Sequence, residues 1–160
     1  MVALGLALVF AGFIWMTWMK WFDLYVDSFR DVWVAEQMIG GKSLYREVYY
    51  EYGFLIPTTY SALIRLFGNP LYVMVLFGIG VGAATLGLVY AITYALIKPI
   101  DRPIWTRTVP GLTSLVYLLV FAFSPSSVLF NTVAPYTHTT TVFVLGVLLS
   151  LYAFLGFIHT

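Results

Sequence analysis

The positions of the charged residues constrain this chain more than any other feature of its sequence. All fifteen lysines, arginines, aspartates and glutamates fall into two windows, eleven between Lys20 and Arg65 and four between Lys98 and Arg107. The remaining segments are apolar and aromatic. Because a charge at the centre of a bilayer costs about 2.5–3.5 kcal/mol, this distribution predicts a membrane protein whose charged windows lie outside the hydrocarbon.

The composition narrows the possible functions. Hydrophobic residues form 61% of the chain and charged residues 9%, whereas a soluble domain carries about 25% charged residues. A net charge of +1 provides no basic patch for a nucleic-acid partner. The sequence contains no cysteine, and His138 and His159 are not at a metal-ligand spacing. No cofactor is predicted, although carboxylates near a phosphate site leave a divalent cation open.

Four segments have the length of about 20 apolar residues that a membrane-spanning helix needs. The predicted fold is therefore an all-α, polytopic membrane protein with one membrane domain over residues 1–160. The first apolar segment has no preceding basic region and no cleavage site, so we interpret it as a retained helix rather than a secretory signal. The predicted spans are about 2–19, 70–97, 104–124 and 139–158.

The connections between these spans predict an orientation. The 98–107 connection has three basic residues in ten, and the 124–138 connection has none. The positive-inside rule places the basic connection in the cytoplasm, so the long first loop, residues 20–69, is predicted to be extracytoplasmic. This loop itself contains five basic residues and six carboxylates, so the density of charge rather than its raw count supports the orientation.

The first loop is predicted to contain two short amphipathic helices. Residues 27–39 place Phe29, Val32, Ala35 and Ile39 on one apolar edge at helical spacing, and Gly40-Gly41 is a typical helix end. A second helix is predicted to start at Pro57, a residue favoured at the first helical position, and to end at Gly68. The segment 42–53 between them is rich in turns and tyrosines.

Three aspartates spaced by four residues are the first candidates for chemistry. Asp23, Asp27 and Asp31 would line one face of a helix. Their mutual repulsion and burial near the bilayer would raise their pKa values, as a general base requires. The alternative is a solvated acidic face that Lys20 and Arg30 neutralise.

Cationic and aromatic residues in the same loop suit an anionic lipid headgroup. The cations either bind a phosphate or pair with loop carboxylates and extend along the interface; they are Arg30, Lys42, Arg46 and Arg65. The tyrosines fit a sugar ring or an interfacial aromatic belt equally well; they are Tyr45, Tyr49, Tyr50 and Tyr52. His138, just before the last span, is either a ligand contact or a hydrogen-bonded loop histidine.

The first loop carries a series of short motifs in a fixed order, namely Asp27, Gly40-Gly41, Leu44-Tyr45-Arg46, Tyr50-Glu51-Tyr52-Gly53 and Leu66-Phe67-Gly68. This order resembles the first extracytoplasmic loop of GT-C glycosyltransferases, in particular bacterial relatives of dolichyl-phosphate-mannose protein mannosyltransferases. The later string NTVAPYTHTT is similar to a second segment of that group, with Pro135, Tyr136 and His138 matching. Glu47 and Phe54 depart from the Asp and Pro of the family pattern, and four spans are fewer than the family's seven or more.

The resemblance implies inverting sugar transfer from a polyprenyl-phosphate donor to an acceptor hydroxyl, with Asp27 as the general base. It also implies a bacterial inner-membrane location, a bilayer-borne donor lipid, an unknown acceptor, and a chain that is the first part of a larger module. The residues predicted to contact substrate are Arg30, Tyr45, Arg46, Tyr52, Arg65 and His138. The residues predicted to contact these substrate-binding residues, without touching the substrate themselves, are Asp23, Asp31 and Glu47. No residue is predicted to bind metal.

Two other functions are compatible with the residues alone. The chain would serve as a small non-enzymatic membrane subunit if its first loop were a docking platform and its aspartates a strip of ion pairs. A transporter or channel fragment ranks below this, because such proteins usually carry a charge at mid-membrane depth. None of the predicted spans has a charge near its middle, since Arg107 lies at the very start of the third span.

Overall fold

The computed structural model of the chain describes residues 2–18, 29–100, 102–123 and 137–158. Helices account for 84% of the described residues, with no β-strand among them, as the sequence predicts. A short 3₁₀ turn, Lys98–Ile100, follows the fourth helix, and a π-helical turn, Leu118–Ala122, extends the fifth. The helices are α1 (Val2–Thr17), α2 (Arg30–Ile39), α3 (Leu55–Phe67), α4 (Pro70–Ile97), α5 (Pro103–Tyr117) and α6 (His138–Ile158).

Three of these helices are long and apolar enough to cross a bilayer. Helix α4 together with its 3₁₀ turn has 31 residues, α5 together with its π-helical turn has 20 residues, and α6 has 21 residues. Helix α1 has 16 residues, which extend about 24 Å at 1.5 Å per residue, short of a hydrocarbon core of about 30 Å. The predicted end of that first span, at residue 19, lies outside the described residues. The described chain therefore contains three candidate membrane spans, which is compatible with an integral membrane protein.

Local signals in the sequence set the boundary between α3 and α4. Gly68 has a φ of 84°, a left-handed conformation that glycine adopts without steric cost, and it ends α3. The Asn69 side chain then accepts hydrogen bonds from the backbone N–H groups of Leu71 (3.0 Å) and Tyr72 (3.3 Å), which caps α4. Pro70 occupies the first position of α4, where no hydrogen-bonding N–H is needed. The chain therefore reverses direction sharply between α3 and the candidate span α4.

Helix α4 is the centre of the transmembrane packing, with α5 and α6 against it. Its Gly78 and Gly82 are buried, as expected for small residues where helices approach closely. The Tyr117 hydroxyl of α5 donates a hydrogen bond to the Gly82 carbonyl at 3.4 Å. Helix α1 packs on the far end of α5, where the rings of Phe13 and Phe123 stack at 5.0 Å between centroids.

Helices α2 and α3 pack against each other and cover the ends at which α4 and α6 begin. Helix α2 begins at Arg30, after the N-cap residue Phe29, and residues 27 and 28 of the predicted helix lie outside the described residues. Helix α3 starts at Leu55, two residues before Pro57, because proline is tolerated anywhere in a first turn. The core formed here, which contains much of the predicted apolar edge of α2, consists of Val32, Ala35, Ile56, Tyr60, Ile64, Val73 and Met74.

Candidate functional site

A fully buried carboxylate, that of Asp31, joins three distant segments of the chain. Asp31 lies in the first turn of α2, and its side chain has no solvent exposure. It accepts hydrogen bonds from the Tyr50 hydroxyl (2.5 Å), the Thr137 hydroxyl (3.0 Å) and the backbone N–H of His138 (3.1 Å). The first loop is thereby bound to the start of α6. We call Asp31, Tyr50, Tyr60, Thr137 and His138 the Asp31 cluster.

The side chain of His138 extends this cluster toward α3 and α4. Its Nδ1 is 2.6 Å from the Tyr60 hydroxyl oxygen, and its ring meets the rings of Tyr60 and Phe77 edge-on, with centroids 5.8 Å and 5.4 Å apart. His138 is 2% exposed. The aromatic rings and the hydroxyl together hold the imidazole in one orientation, as is needed for a residue that positions a ligand.

Packing of the first loop explains why these side chains meet. The Ser61 hydroxyl of α3 donates to the Ala35 carbonyl of α2 (3.1 Å) and to the Pro57 carbonyl (2.8 Å), which ties the two helices together. Tyr50 packs in a separate small core with Val34 and Val48. Since Val34 and Asp31 are three residues apart on α2, this core directs the Tyr50 hydroxyl at the Asp31 carboxylate.

Arg30 is adjacent to the cluster and interacts with the tyrosine-rich segment. One of its terminal nitrogens lies 2.7 Å from the Glu51 carboxylate. Its guanidinium carbon is 4.8 Å from the centre of the Tyr52 ring, a cation–π distance. The pair places a cation and a flat aromatic face side by side at the edge of the cluster.

A groove of about 670 Å³ runs beside the cluster between the start of α3 and the first half of α6. Thr139, at its polar end, is 3.3 Å from the Tyr50 hydroxyl, so the groove and the cluster share a wall. Its other end reaches Ser150, about three turns along α6. The lining residues are Tyr52, Leu55, Ile56, Thr139, Val142, Phe143, Gly146, Val147 and Ser150.

Burial dominates the electrostatics of the cluster. Loss of water raises the pKa of Asp31 above its ordinary value of 3.8, although the hydrogen bonds from Tyr50, His138 and Thr137 and the charge of Arg30 favour the ionised form. Burial, and then the negative charge of Asp31, raise the pKa values of Tyr50 and Tyr60. Both tyrosines therefore stay protonated as hydroxyl donors.

The raised pKa of Asp31 gives a prediction about pH. The folded state binds more protons than the unfolded state between pH 3.8 and the raised pKa, so the contribution of Asp31 to stability is fully present below pH 3.8 and is lost as pH rises through the folded pKa. Asparagine cannot ionise. We expect the melting temperature of the wild type in detergent to fall relative to that of Asp31→Asn as pH is raised from 4 to 8. If the difference in melting temperature between the two proteins stays constant, or if it shifts in favour of the wild type as pH rises, the pKa of Asp31 is not raised in the folded protein.

The structure brings together some of the residues that the sequence nominated. Asp31 and His138 are both in the cluster, and Arg30 contacts Tyr52 at its edge. Asp31 is buried, so the alternative of a solvated acidic face does not describe it. Asp23 and Asp27, the predicted general base, lie outside the described residues, as do Pro135 and Tyr136.

Other nominated residues lie away from the cluster. Tyr45 is exposed, with an unusual φ of 68°, and Glu47 accepts a hydrogen bond from the backbone N–H of Ser43 at 2.8 Å. Arg46 and Arg65 are exposed, and no hydrogen bond or ion pair connects either of them to the cluster within the described part of the chain. Their predicted contact with substrate remains a prediction.

Three residues of the site were not singled out from the sequence: Tyr60, Thr137 and Thr139. The signal for the threonines is the run Thr137-His138-Thr139-Thr140-Thr141, five polar residues at the start of an apolar span. Polar side chains at such a position are expensive in lipid and indicate a buried hydrogen-bonding site.

The described residues contain no group of three or more His, Cys, Asp or Glu side chains close enough to hold a metal ion. Comparison of the chain with protein-family models, with curated proteins and with solved structures finds no match.

Proposed function

We propose that this protein is a membrane glycosyltransferase of the GT-C type, which transfers a sugar from a polyprenyl-phosphate donor to an acceptor hydroxyl. One observation carries the proposal. The two sequence segments that resemble this superfamily are 106 residues apart at Asp31 and Thr137, and they are hydrogen-bonded to each other in the structure. A single site built from both segments is what such a function requires.

The proposal extends to the membrane arrangement. Helix α1 and the residues after it form the first of four spans, and the Asp31 cluster faces the extracytoplasmic side of a bacterial inner membrane. The basic residues Lys98, Arg102 and Arg107 at the opposite end of the spans support this orientation.

The groove beside the cluster suits the donor lipid. It is lined mainly by apolar residues of α3 and α6, and it lies along a helix that is largely unburied on its outer side. An isoprenoid chain would enter it sideways from the bilayer, with its phosphate at the polar end near Thr139. Arg30, next to Tyr52 at that end, supplies positive charge for the phosphate.

In the proposed reaction Asp27 accepts the proton of the acceptor hydroxyl while that oxygen attacks the anomeric carbon of the donor. The bond between the anomeric carbon and the phosphate oxygen breaks, and polyprenyl phosphate leaves as an anion. The configuration at the anomeric carbon is inverted. The Asp31 cluster forms the adjoining wall of the site, and Asp31 does not itself accept the proton because its side chain is fully buried and out of reach of an acceptor hydroxyl.

The test is a transfer assay with the full-length protein in proteoliposomes. Farnesyl-phosphate-linked hexoses and pentoses serve as donors, and the release of farnesyl phosphate is measured. The proposal predicts protein-dependent release from at least one donor. If no donor in a broad panel is turned over by folded protein, the glycosyltransferase proposal is wrong.

Filling the groove is predicted to weaken donor binding. A Cβ built on Gly146 meets nothing within 4 Å, so Gly146→Leu should fold while its side chain occupies the groove. We expect KM for the farnesyl-phosphate donor to rise about tenfold, the scale of a steric conflict in an apolar pocket, with kcat little changed. Gly87→Leu, also at an open position but outside the groove, is the control. Equal KM values for the two variants would mean that the groove is not part of the donor-binding site.

A docking subunit without enzymatic activity is the second candidate, and one observation favours it. The first loop exposes several large apolar side chains; they are Trp33, Tyr45, Tyr49 and Phe54. Such residues are enriched in protein interfaces. This function predicts no release of farnesyl phosphate, together with loss of partner binding on Tyr49→Ala or Trp33→Ala.

A further inference from the structure

A second groove lies at the opposite end of the transmembrane helices. It occupies about 650 Å³ between the last turns of α4 and the last turns of α6. Since α4 and α6 both begin at the Asp31 cluster, this groove is separated from the cluster by most of the length of the two helices. Its lining residues are Ala91, Tyr94, Ala95, Lys98, Pro99, Tyr152, Ala153, Leu155 and Gly156.

The two parts of this groove differ in chemistry. Small residues from both helices, among them Ala91, Ala95 and Gly156, leave an apolar channel along the helix axes. The exposed ammonium of Lys98 lies at the end of the channel, and the half-exposed tyrosines Tyr94 and Tyr152 also line it. A cation and hydroxyl donors above an apolar channel match the headgroup and acyl chain of a phospholipid.

We propose that this groove binds an anionic phospholipid from the leaflet at that end of the protein. The lipid phosphate is paired with the Lys98 ammonium and accepts hydrogen bonds from the tyrosine hydroxyls, and an acyl chain lies against Ala91, Ala95 and Gly156. Basic pockets between transmembrane helices are typical sites for such headgroups. The site is independent of the proposed sugar transfer.

The positive charge of Lys98 favours a lipid over a transmembrane helix as the occupant of this groove. A helix packed into the groove would cover Lys98, and an ammonium removed from water without a counter-charge is costly. The neighbouring sequence is positive on balance, since the three cations Lys98, Arg102 and Arg107 outnumber Asp101 within ten residues. An anionic lipid supplies a negative charge to this end of the protein and leaves Lys98 at the membrane surface.

Native mass spectrometry of the delipidated full-length protein tests this proposal. Dioleoyl phosphatidylglycerol is titrated against the protein, and dioleoyl phosphatidylcholine, with the same acyl chains, is the uncharged comparison. We expect phosphatidylglycerol to bind more tightly. Lys98→Gln should weaken its binding about fivefold, the effect of one basic residue at a membrane surface. Arg107→Gln, with the same loss of charge outside the groove, should change it much less.

Lys98 also lies at the end of α4, where its positive charge interacts favourably with the helix dipole, so Lys98→Gln alone does not test the groove. A second variant tests the groove without changing the charge. A Cβ on Gly156 meets nothing within 4 Å, so Gly156→Leu should fill the channel without altering the net charge. Gly156→Leu should weaken phosphatidylglycerol binding at least as much as Lys98→Gln does. The control is Gly5→Leu, which also has open space around its Cβ but lies on α1, and it should leave this binding unchanged. Equal effects of Lys98→Gln and Arg107→Gln, unchanged binding in Gly156→Leu, or equal affinity for the two lipids would each overturn the proposal.

Discussion

Asp31→Ala is expected to lower the free energy of unfolding by at least about 3 kcal/mol. The carboxylate accepts hydrogen bonds from Tyr50, Thr137 and the His138 backbone, and alanine would leave all three donors buried without this acceptor. Each unsatisfied buried donor costs about 1–3 kcal/mol. Thermal or denaturant-induced unfolding in detergent measures the loss, and the start of α6 should become more accessible to protease.

Two control variants make this result specific. Glu36→Ala removes an exposed carboxylate from the same helix and should change stability by about 0.5 kcal/mol or less. Asp31→Asn keeps an acceptor oxygen for Thr137 and His138, and the Tyr50 hydroxyl can rotate to accept from the amide, so it should retain most of the stability. If Asp31→Ala were as stable as Glu36→Ala, Asp31 would not hold the two segments together.

Asp27→Asn is expected to have the largest effect on activity. If Asp27 is the general base of the proposed transfer, its replacement should lower kcat by about 10²–10⁴-fold, the usual contribution of such a base. Binding of farnesyl phosphate and insertion into the membrane should be unaffected, since the amide has nearly the same size. The measurement is the rate of farnesyl phosphate release from the donor that the wild type turns over.

Glu36→Gln is the matched control for this experiment, because it removes one carboxylate charge from the same loop at an exposed position. Its turnover should equal that of the wild type. Turnover by Asp27→Asn within a factor of two of wild type would exclude Asp27 as the base. Loss of donor binding together with turnover would instead assign Asp27 to binding, which also contradicts the proposed role.

The sequence predicted the parts of the fold that depend on local signals. The bounds of α4 coincide with the predicted 70–97, because a capping asparagine and a proline precede a continuous apolar run. The end of α2 was predicted from Gly40-Gly41, and Gly41 does adopt a left-handed φ of 92°. Only three candidate spans are found among the described residues, because the 16-residue α1 is shorter than the apolar composition of its region suggested.

The site was less predictable, because its geometry depends on contacts between distant residues. The hydrogen bonds of Asp31 cross 19 residues to Tyr50 and 106 residues to Thr137. Four tyrosines of segment 42–53 look alike in the sequence, and only Tyr50 among them is buried. That distinction arises from its packing against Val34 and Val48. Helical spacing, which suggested that Asp31 shares a face with Asp27 and Asp23, says nothing about which of these carboxylates is buried.

If the Asp31 cluster and the groove beside it form one site, donor lipid reaches that site from the bilayer through the groove. Photo-crosslinking with farnesyl phosphate that carries a diazirine at the end of its chain, followed by peptide mapping, tests this arrangement. We expect labels on groove residues of α6 such as Phe143 and Val147, and excess unlabelled farnesyl phosphate should remove them. Labels spread evenly over the exposed apolar faces of α1, α4, α5 and α6, and insensitive to this competition, would contradict it.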